Sequence, residues 1–489
     1  MKLSELTKNI DIIETKGDIN YDLEITDISN NSRESIKDSA FVAIVGKITD
    51  GHEYIKNAKE NGAAVAFTEY FTDDEIPQIR VNNTRETLAD LSIEFFHDPS
   101  KELNCIGITA TNGKTTTTFM IDAIFKKAGI STGLVGTEKI QYGDTVIPTI
   151  LTTPESRYLQ EYTRAMADIG VTDLIMEVSS HAQEMSRVKN MDYDIVAFNN
   201  ISREHIDQHG NFENYREIKS GLIRKAKPDA FAILNFDFPF IKNLKDETKA
   251  RVLSYSLENN EAMFGISDLN LTTGFASYIF KINQPIESLN LNKGEFKIEL
   301  GASGYSSVMN SVVTIIVALI RKIQITTIQN ALKEFNGVPR RFQMIYNGDF
   351  KVIDDHFANP KNIAVTMETV SKMDYNKIVP VYAIRGSRGP NLIRECSEEF
   401  SKWLKDLEIT EVISTESKEV VTEKDVVTED EKIAFMDVMK SSDIDVKNFK
   451  RLDESIKYGL EKIEKGDLLL LLGCQGMDDG AKLFLKNLK

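Results

Sequence analysis

Only three of the 489 residues are cysteine, and they are scattered: Cys105, Cys396 and Cys474. An odd set with neither a disulfide framework nor metal-ligand spacing points to core or near-site thiols in a reducing compartment, so a cytoplasmic protein is expected. No apolar run approaches the roughly 20 residues that span a bilayer. The opening MKLSELTKNIDII has no signal-peptide architecture, and membrane insertion is not expected. Positive charge is in short supply, with 59 Lys and Arg against 75 Asp and Glu and a net charge of −16. That balance argues against broad binding to nucleic acid or anionic membranes, because both would be repelled, while leaving room for a local basic pocket. Repeats, low-complexity segments and long linkers are also missing. A chain of this length exceeds one core, so roughly two to four domains must be found from pattern changes alone.

What is present is chemically pointed. In ITATNGKTTTTFM (108–120) an apolar run leads into a small, glycine-bearing turn, then a lysine and a hydroxyl series. A buried strand ending there and a helix beginning there would converge backbone N–H groups on an anion. Lys114 would reach the outer phosphates of a nucleotide, and the hydroxyl of Thr115 or Thr116 would ligate Mg²⁺. The strict phosphate-loop pattern asks for a glycine where Ile108 stands, so the fragment alone is also compatible with an ordinary turn.

Residues 1–103 alternate short β-like runs (40–45, 63–68) with helical stretches (52–61, 84–96), and HDPSKELN (97–104) reads as a connector. The phosphate-loop strand and helix follow, with apolar strands expected at 173–178, 195–198 and 230–234. Alternating strands and helices imply an α/β fold with a parallel sheet. A β-rich stretch near 250–300 precedes a helical run at 310–322, and GVPRRF (337–342) looks like a hinge. Strands at 350–353, 378–383, 411–414 and 468–472 then predict a second α/β layer. The expected domains are 1–103, 104–338 and 339–489.

Three of the six histidines, His181, His205 and His209, fall in one short stretch. MEVSSH (176–181) and REHIDQHG (203–210) each follow an apolar strand, where open α/β sheets gather their sites. Glu177 would therefore ligate a divalent cation on a nucleotide's phosphates, with His205 adding an imidazole. Lys219, in NYREIKSGLIRK (214–225), reads from the residues alone as a lysine on a solvated helix face. Ser32 and Arg33 in NNSRES, and the Asp50-Gly51-His52 turn, are either a grip on a polar ligand or turn chemistry. LTTP (151–154) is similarly open: a strand end and turn, or hydroxyls aimed at a substrate.

Together TATNGKTTT, LTTPE, MEVSSHA with SRV (186–188), FNNISREHIDQHG and NYREIK resemble, in order and spacing, the Mur ligases, ATP-dependent enzymes that build the peptide of cell-wall precursors. The resemblance is strongest to the MurE type, UDP-N-acetylmuramoyl-dipeptide ligases, and extends through NSRESIKDSAFVAIVGKITDGHEYI into the first domain. It implies a precursor-binding domain, a central phosphate-loop ATPase and a Rossmann-like C-terminal domain for the incoming amino acid, with a monomer expected. It places Thr111, Asn112, Gly113, Lys114, Thr115 and Thr116 around ATP and Mg²⁺. Glu177, His205 and a carbamylated Lys219 would hold a second Mg²⁺, since a carbamate is a carboxylate-like ligand where an ammonium would be repelled. Ser32 would hold the uridine part; Thr152, Thr153, Ser180 and Arg187 would contact the sugar-peptide acceptor; Asn310, Arg341 and Asp355 would contact ATP. The implied reaction is phosphoryl transfer to the acceptor's carboxylate, then attack of an amine on the acyl phosphate, with domain closure excluding water.

The departures from the family concentrate in the last domain. DHFANP (355–360) keeps Asp355 and Pro360 but carries its histidine at His356; RGSRG (385–389) keeps Arg388 and adds Arg385. TESK (415–418) stands where the family selects its amino acid, and a Lys418 point charge does not reproduce a bidentate arginine clamp on a carboxylate. In CQGMD (474–478), Asp478 would replace the glutamate that meets the incoming amino group. In the centre, Ala110 replaces a glycine and Ser307 an asparagine. ATP use and ligation survive this comparison, whereas the amino acid does not. The acceptor would be a UDP-linked peptide, either muramoyl or of the archaeal pseudomurein type without muramic acid. A ligase for another carboxylate, such as a cofactor or polyglutamate, and a non-catalytic nucleotide-binding relative are the competing classes; the first domain disfavours one and the retained metal set the other.

Overall fold

The structure, a computed structural model, describes residues 1–46, 49–202, 209–258 and 261–488. It is an α/β protein of three sheets, in two compact units: residues 1–263 with 316–321, and residues 264–315 with 322–489.

In the first unit a five-stranded sheet is ordered Glu14–Lys16, Gln78–Arg80, Ala63–Thr68, Ser39–Val42, Ile28–Ser29. Only its first pair is antiparallel. The larger sheet of this unit runs Arg251–Tyr255, Phe231–Asn235, Tyr193–Phe198, Asn104–Thr109, Asp173–Glu177, Thr132–Val135 and then Lys139–Tyr142 and Thr145–Pro148. Its first six strands are parallel and mostly buried, with apolar centres and polar residues mainly at their ends, as expected of a sheet covered on both faces. The last two are antiparallel, an edge hairpin that the expectation of a purely parallel sheet did not include. Its outer strand is largely exposed and has no buried face to set an alternating pattern.

Register positions the chemistry. Glu177 pairs with Ile108, and Phe198 with Thr109. The carboxyl ends of three adjacent strands therefore finish level, with the phosphate-loop strand in the middle, the arrangement that gathers sites in doubly wound folds.

The second unit contains an antiparallel meander, Phe264–Asn270, Phe275–Ile282 and Gly294–Ser303. Along Phe275–Ile282 half-buried and buried residues alternate, the pattern of a strand with one covered face. Its other sheet is ordered Gln343–Asn347, Lys351–Asp355, Leu468–Leu472, Ile378–Ala383, Glu411–Thr415, Asp445–Phe449, parallel except for the first pair. Leu468–Leu472 is five consecutive buried leucines near its centre, each contributing about 2 kcal/mol of burial. Helices Pro390–Asp406 and Glu429–Ser441 pack beside one another over this sheet. Glu431 closes a capping box with Thr428 and also accepts the backbone amides of Arg388 and Gly389 at 2.7 and 2.8 Å. That one buried carboxylate pins the RGSRG turn. No helix among the described residues is long and apolar enough to cross a membrane.

Candidate active site

Strand Asn104–Thr109 turns through residues 110–113 into helix Lys114–Lys127. Gly113 caps that helix with φ +86°, a left-handed conformation that strains any residue with a Cβ. The turn is clasped from the neighbouring strand's end. Thr111 N donates to Asn200 O (3.0 Å), Asn112 N to Asn200 Oδ1 (3.0 Å), and Asn200 Nδ2 to Asn112 O (2.8 Å). The Thr111 hydroxyl lies 3.2 Å from that of Tyr215. Lys114 Nζ folds over the turn, donating to the carbonyls of Ala110 (3.0 Å) and Thr111 (3.1 Å). An ammonium on neutral carbonyls at a helix N-terminus is placed to take anionic oxygens instead.

Glu177 sits at the end of its strand with no exposed surface. Its Oε2 accepts the hydroxyls of Thr115 and Thr137, both at 3.1 Å, and Oε1 accepts the amide of Thr137 at 2.8 Å. Thr115, and not Thr116, makes this contact; Thr116 is half-buried on the same first turn. The Thr137 hydroxyl, its proton on Glu177, lies 3.1 Å from that of Thr152 and accepts from it, and the Thr153 hydroxyl donates to the carbonyl of Glu177 (2.8 Å). Arg187 Nη1 donates to the Thr153 carbonyl at 3.1 Å, and its Nη2 lies 2.8 Å from Glu155. Thr115, Thr152, Thr153, Glu177 and Arg187 are thus brought into one network.

Lys219 is the correction. The solvated-face reading fails, because its side chain is 1% exposed and ranks among the largest fully buried ones. Helix Phe212–Arg224 turns Tyr215, Lys219, Leu222 and Ile223 to the sheet, a helical phase that was available in the sequence. Nζ donates to Ala110 O at 2.8 Å and Thr109 Oγ1 at 3.3 Å, and lies 5.1 Å from the centre of the Tyr215 ring. It therefore reaches the same turn as Lys114 from beneath.

The donors presented by Thr115 and Glu177 are oxygen only, and Mg²⁺ is held in that way, by a carboxylate with hydroxyl, phosphate and water oxygens. The residues present fit that ion. Among the described residues no group of three His, Cys, Asp or Glu side chains is placed to hold a metal ion by itself. His205 lies outside the described residues.

Ser32 lines an open cleft of about 380 Å³ together with Arg33, Thr49, Tyr54, Arg85 and Glu155. The cleft ties the first five-stranded segment to the LTTPE turn through Glu155, which Arg187 also holds. Arg157 Nη2 pairs with Asp27 at 2.9 Å and Tyr158 donates to Glu34, fixing helix Ser156–Asp168 against the same region.

In the second unit Asp355 is buried at the end of strand Lys351–Asp355. It accepts the amides of Phe342 (2.7 Å) and Phe357 (3.2 Å) and the Thr366 hydroxyl (2.8 Å), and burial pushes its carboxyl up. Arg341 is exposed on the turn above it, and Asn310 is buried on helix Tyr305–Ile320. Asp478 is engaged by Arg340, which sequence reasoning passed over. Arg340 holds φ +62°, a conformation unusual for a side chain of its size, and donates to the carbonyls of Gly473 and Cys474. Its Nε lies 3.3 Å from Asp354, whose carboxyl burial pushes up to about 7. Burial and the guanidiniums of Arg341, Arg340 and Arg385 push His356 down to about 3, so its imidazole is neutral. The Arg388 side chain is exposed. Lys418 pairs with Glu416 at 3.0 Å, and Glu416 also accepts Lys432 (2.9 Å) and Asn448 (3.1 Å).

The residues missed from the sequence are those that hold others: Thr137 and Gly136 around Glu177, Asn200 and Tyr215 around the turn, and Arg340. Asn200 and Tyr215 stand inside the quoted FNNISREHIDQHG and NYREIK segments and the paired arginines 340 and 341 inside GVPRRF, so the signal was visible but gave these residues no role; Gly136 and Thr137 lie in no such segment.

A glycine-capped turn at a helix N-terminus beside two lysines, a buried carboxylate among hydroxyls and an open polar cleft, on an α/β frame, are the parts an ATP-dependent ligase requires. Residues 108–318 match the Mur ligase middle domain and residues 340–475 the Mur ligase, glutamate ligase domain. A UDP-N-acetylmuramoyl-L-alanyl-D-glutamate–2,6-diaminopimelate ligase of Bacillus velezensis is 36% identical over 396 residues, 79% of this chain and 78% of the relative. The enzyme of that description from Alkaliphilus metalliredigens is 30% identical over 483 residues, 97% of this chain and 92% of its own. A solved structure of such a ligase superposes with a TM-score of 0.72 at 21% identity, covering 98% of this chain and 94% of that one. The chain belongs to the Mur ligase family. Within it, the chain is an ATP-dependent acid–amino-acid ligase of the MurE type.

Proposed function

We propose that this ligase joins an amino acid to the free carboxylate of a UDP-linked muramoyl dipeptide, through an acyl phosphate, releasing ADP and phosphate. The observation that carries the reading is the level placement of Lys114, Glu177 and buried Lys219 about one phosphate-gripping turn, with the Ser32 cleft in the same unit. Residues 1–103 bind the UDP portion, 104–338 bind ATP and 339–489 bind the amino acid. Thr111 to Thr116 cradle the phosphates and Lys114 offsets the charge that develops as the acceptor's carboxylate attacks the γ-phosphate. Thr115, Glu177, His205 and a carbamylated Lys219 hold Mg²⁺, which supplies further charge neutralisation on the phosphate oxygens when bound. Thr152, Thr153, Ser180 and Arg187 orient the acceptor. Asn310, Arg341 and Asp355 serve the nucleotide, and Arg388 and Asp478 the amino acid.

The relatives' names make diaminopimelate the first amino acid to test. A second reading, a different amino acid or an acceptor without muramic acid, is favoured by one observation. Lys418 and Asp478, at the selecting positions, are already paired with Glu416 and Arg340. The test is phosphate release with ATP and Mg²⁺ across amino acids, with UDP-muramoyl-dipeptide or a UDP-linked glutamyl peptide as acceptor. Release that depends on the muramoyl acceptor and diaminopimelate supports the first reading. Release only with another amino acid or the sugar-free acceptor supports the second. Silence with both acceptors sinks the ligase reading.

A further inference from the structure

His209 is 4% exposed and its ring is shared between two partners on helix Ser180–Glu184. Nε2 lies 3.0 Å from the Ser180 hydroxyl, and Nδ1 lies 3.3 Å from Glu184 Oε2. Ser180 is itself buried, and Glu184 is half-buried. The same carboxylate oxygen stands 3.7 Å from His181 Nδ1, so one acid lies between two imidazoles. On its other side the His209 ring meets Tyr215, at 5.5 Å between centres, whose hydroxyl touches Thr111 of the phosphate turn. The approach of Nδ1 to Glu184 is an ion-pair distance and not an aligned hydrogen bond, and a carboxylate, which only accepts, favours a proton on Nδ1 and leaves Nε2 to accept from Ser180. Ser180 begins the helix three positions past Glu177, at the strand end where the ligase reading places the phosphates and the acceptor.

We infer that Ser180, His209 and Glu184 form a proton relay that makes the incoming ammonium nucleophilic, an inference that rests on the ligase reading above. Ser180 is the catalytic group; His209 and Glu184 position it and carry its proton. An N–H bond of the substrate ammonium breaks and the electron pair stays on nitrogen. The proton passes to Ser180 Oγ as the serine's own proton passes to His209 Nε2, giving an imidazolium beside Glu184. The neutral amine then adds to the acyl carbon and the bond from that carbon to the phosphate oxygen breaks. The second proton leaves with the departing phosphate, and His209 returns its proton to water. Bases placed in this way contribute about 100-fold or more to rate.

Hydroxylamine separates this role from a structural one, because it is already unprotonated near neutral pH and needs no base to become a nucleophile. The full-length enzyme is assayed with ATP, Mg²⁺ and acceptor, scoring amide formed from the amino acid and hydroxamate formed from hydroxylamine. His209→Asn is expected to lose about 100-fold in kcat for the amide with hydroxamate formation and acceptor KM within a few-fold of wild type. Glu184→Gln, which keeps the shape of the half-buried side chain and removes its charge, is expected to shift the same ratio in the same direction by less. Parallel loss of amide and hydroxamate in either soluble variant, or no change in their ratio in Glu184→Gln, overturns the relay. A wild-type enzyme that makes neither product overturns the ligase reading, and the relay with it.

Discussion

A Cβ on Gly136 would fall 2.4 Å from Oε1 of Glu177. The glycine is needed there because the carboxylate fills the space any other residue would use, and the next residue, Thr137, grips both oxygens of the same acid. Gly136 is therefore part of how Glu177 is aimed.

Gly136→Ala is expected to push the carboxylate off Thr115 and Thr137, breaking hydrogen bonds that contribute about 1 kcal/mol each. ATP-dependent phosphate release should fall at least about ten-fold, with the apparent affinity for Mg²⁺ falling more than that for the acceptor. Steady-state rates across a Mg²⁺ titration check it. Unchanged Mg²⁺ dependence in a folded variant would remove Glu177 from the metal set.

Lys219 cannot be carbamylated and also keep its ammonium bonds to Ala110 and Thr109. Lys219→Ala is expected to lose most ligase activity and to regain part of it when a short carboxylate such as acetate or formate is added, which replaces the missing ligand oxygens. Intact-mass measurement of the native protein at raised bicarbonate provides a second readout. An active Lys219→Ala enzyme with no rescue would assign the lysine to holding the phosphate turn alone.

Glu416 supports the second unit in a pH-dependent way. Burial works against its charge, but hydrogen bonds from Lys432, Lys418 and Asn448 outweigh that and hold its carboxyl down to about 2. A depressed acid stabilises the fold fully above its unfolded value of 4.5, and that contribution disappears as pH falls toward about 2. Urea midpoints measured at pH 6 and pH 3 should therefore fall more for wild type than for Glu416→Gln. Equal falls would show that the acid's partners do not stabilise the folded state.

The sequence by itself determined the α/β class, the phosphate turn and the family. Strand-then-turn chemistry is local, so the strand, the glycine turn and the helix start of TATNGKTTT are legible in one dimension, whereas Asn200 and Lys219, which hold that turn, are not. It also placed Glu177 at a strand end, because apolar runs that stop at an acid are legible in one dimension. The tertiary structure alone decided that Glu177 is aimed by Gly136 and Thr137, that Lys219 is buried beneath the turn, and that Arg340 occupies Asp478. The first two depend on parallel strands far apart in the chain finishing at one level, Ile108 beside Glu177 and Thr109 beside Phe198, and the third on Asp355 and Leu472 ending side by side in the other sheet. Helical phase hinted at Lys219, yet only the sheet beneath the helix gives that phase a buried side. The edge hairpin at residues 139–148 was illegible for the converse reason, since an exposed strand buries little and leaves no periodic trace in the sequence.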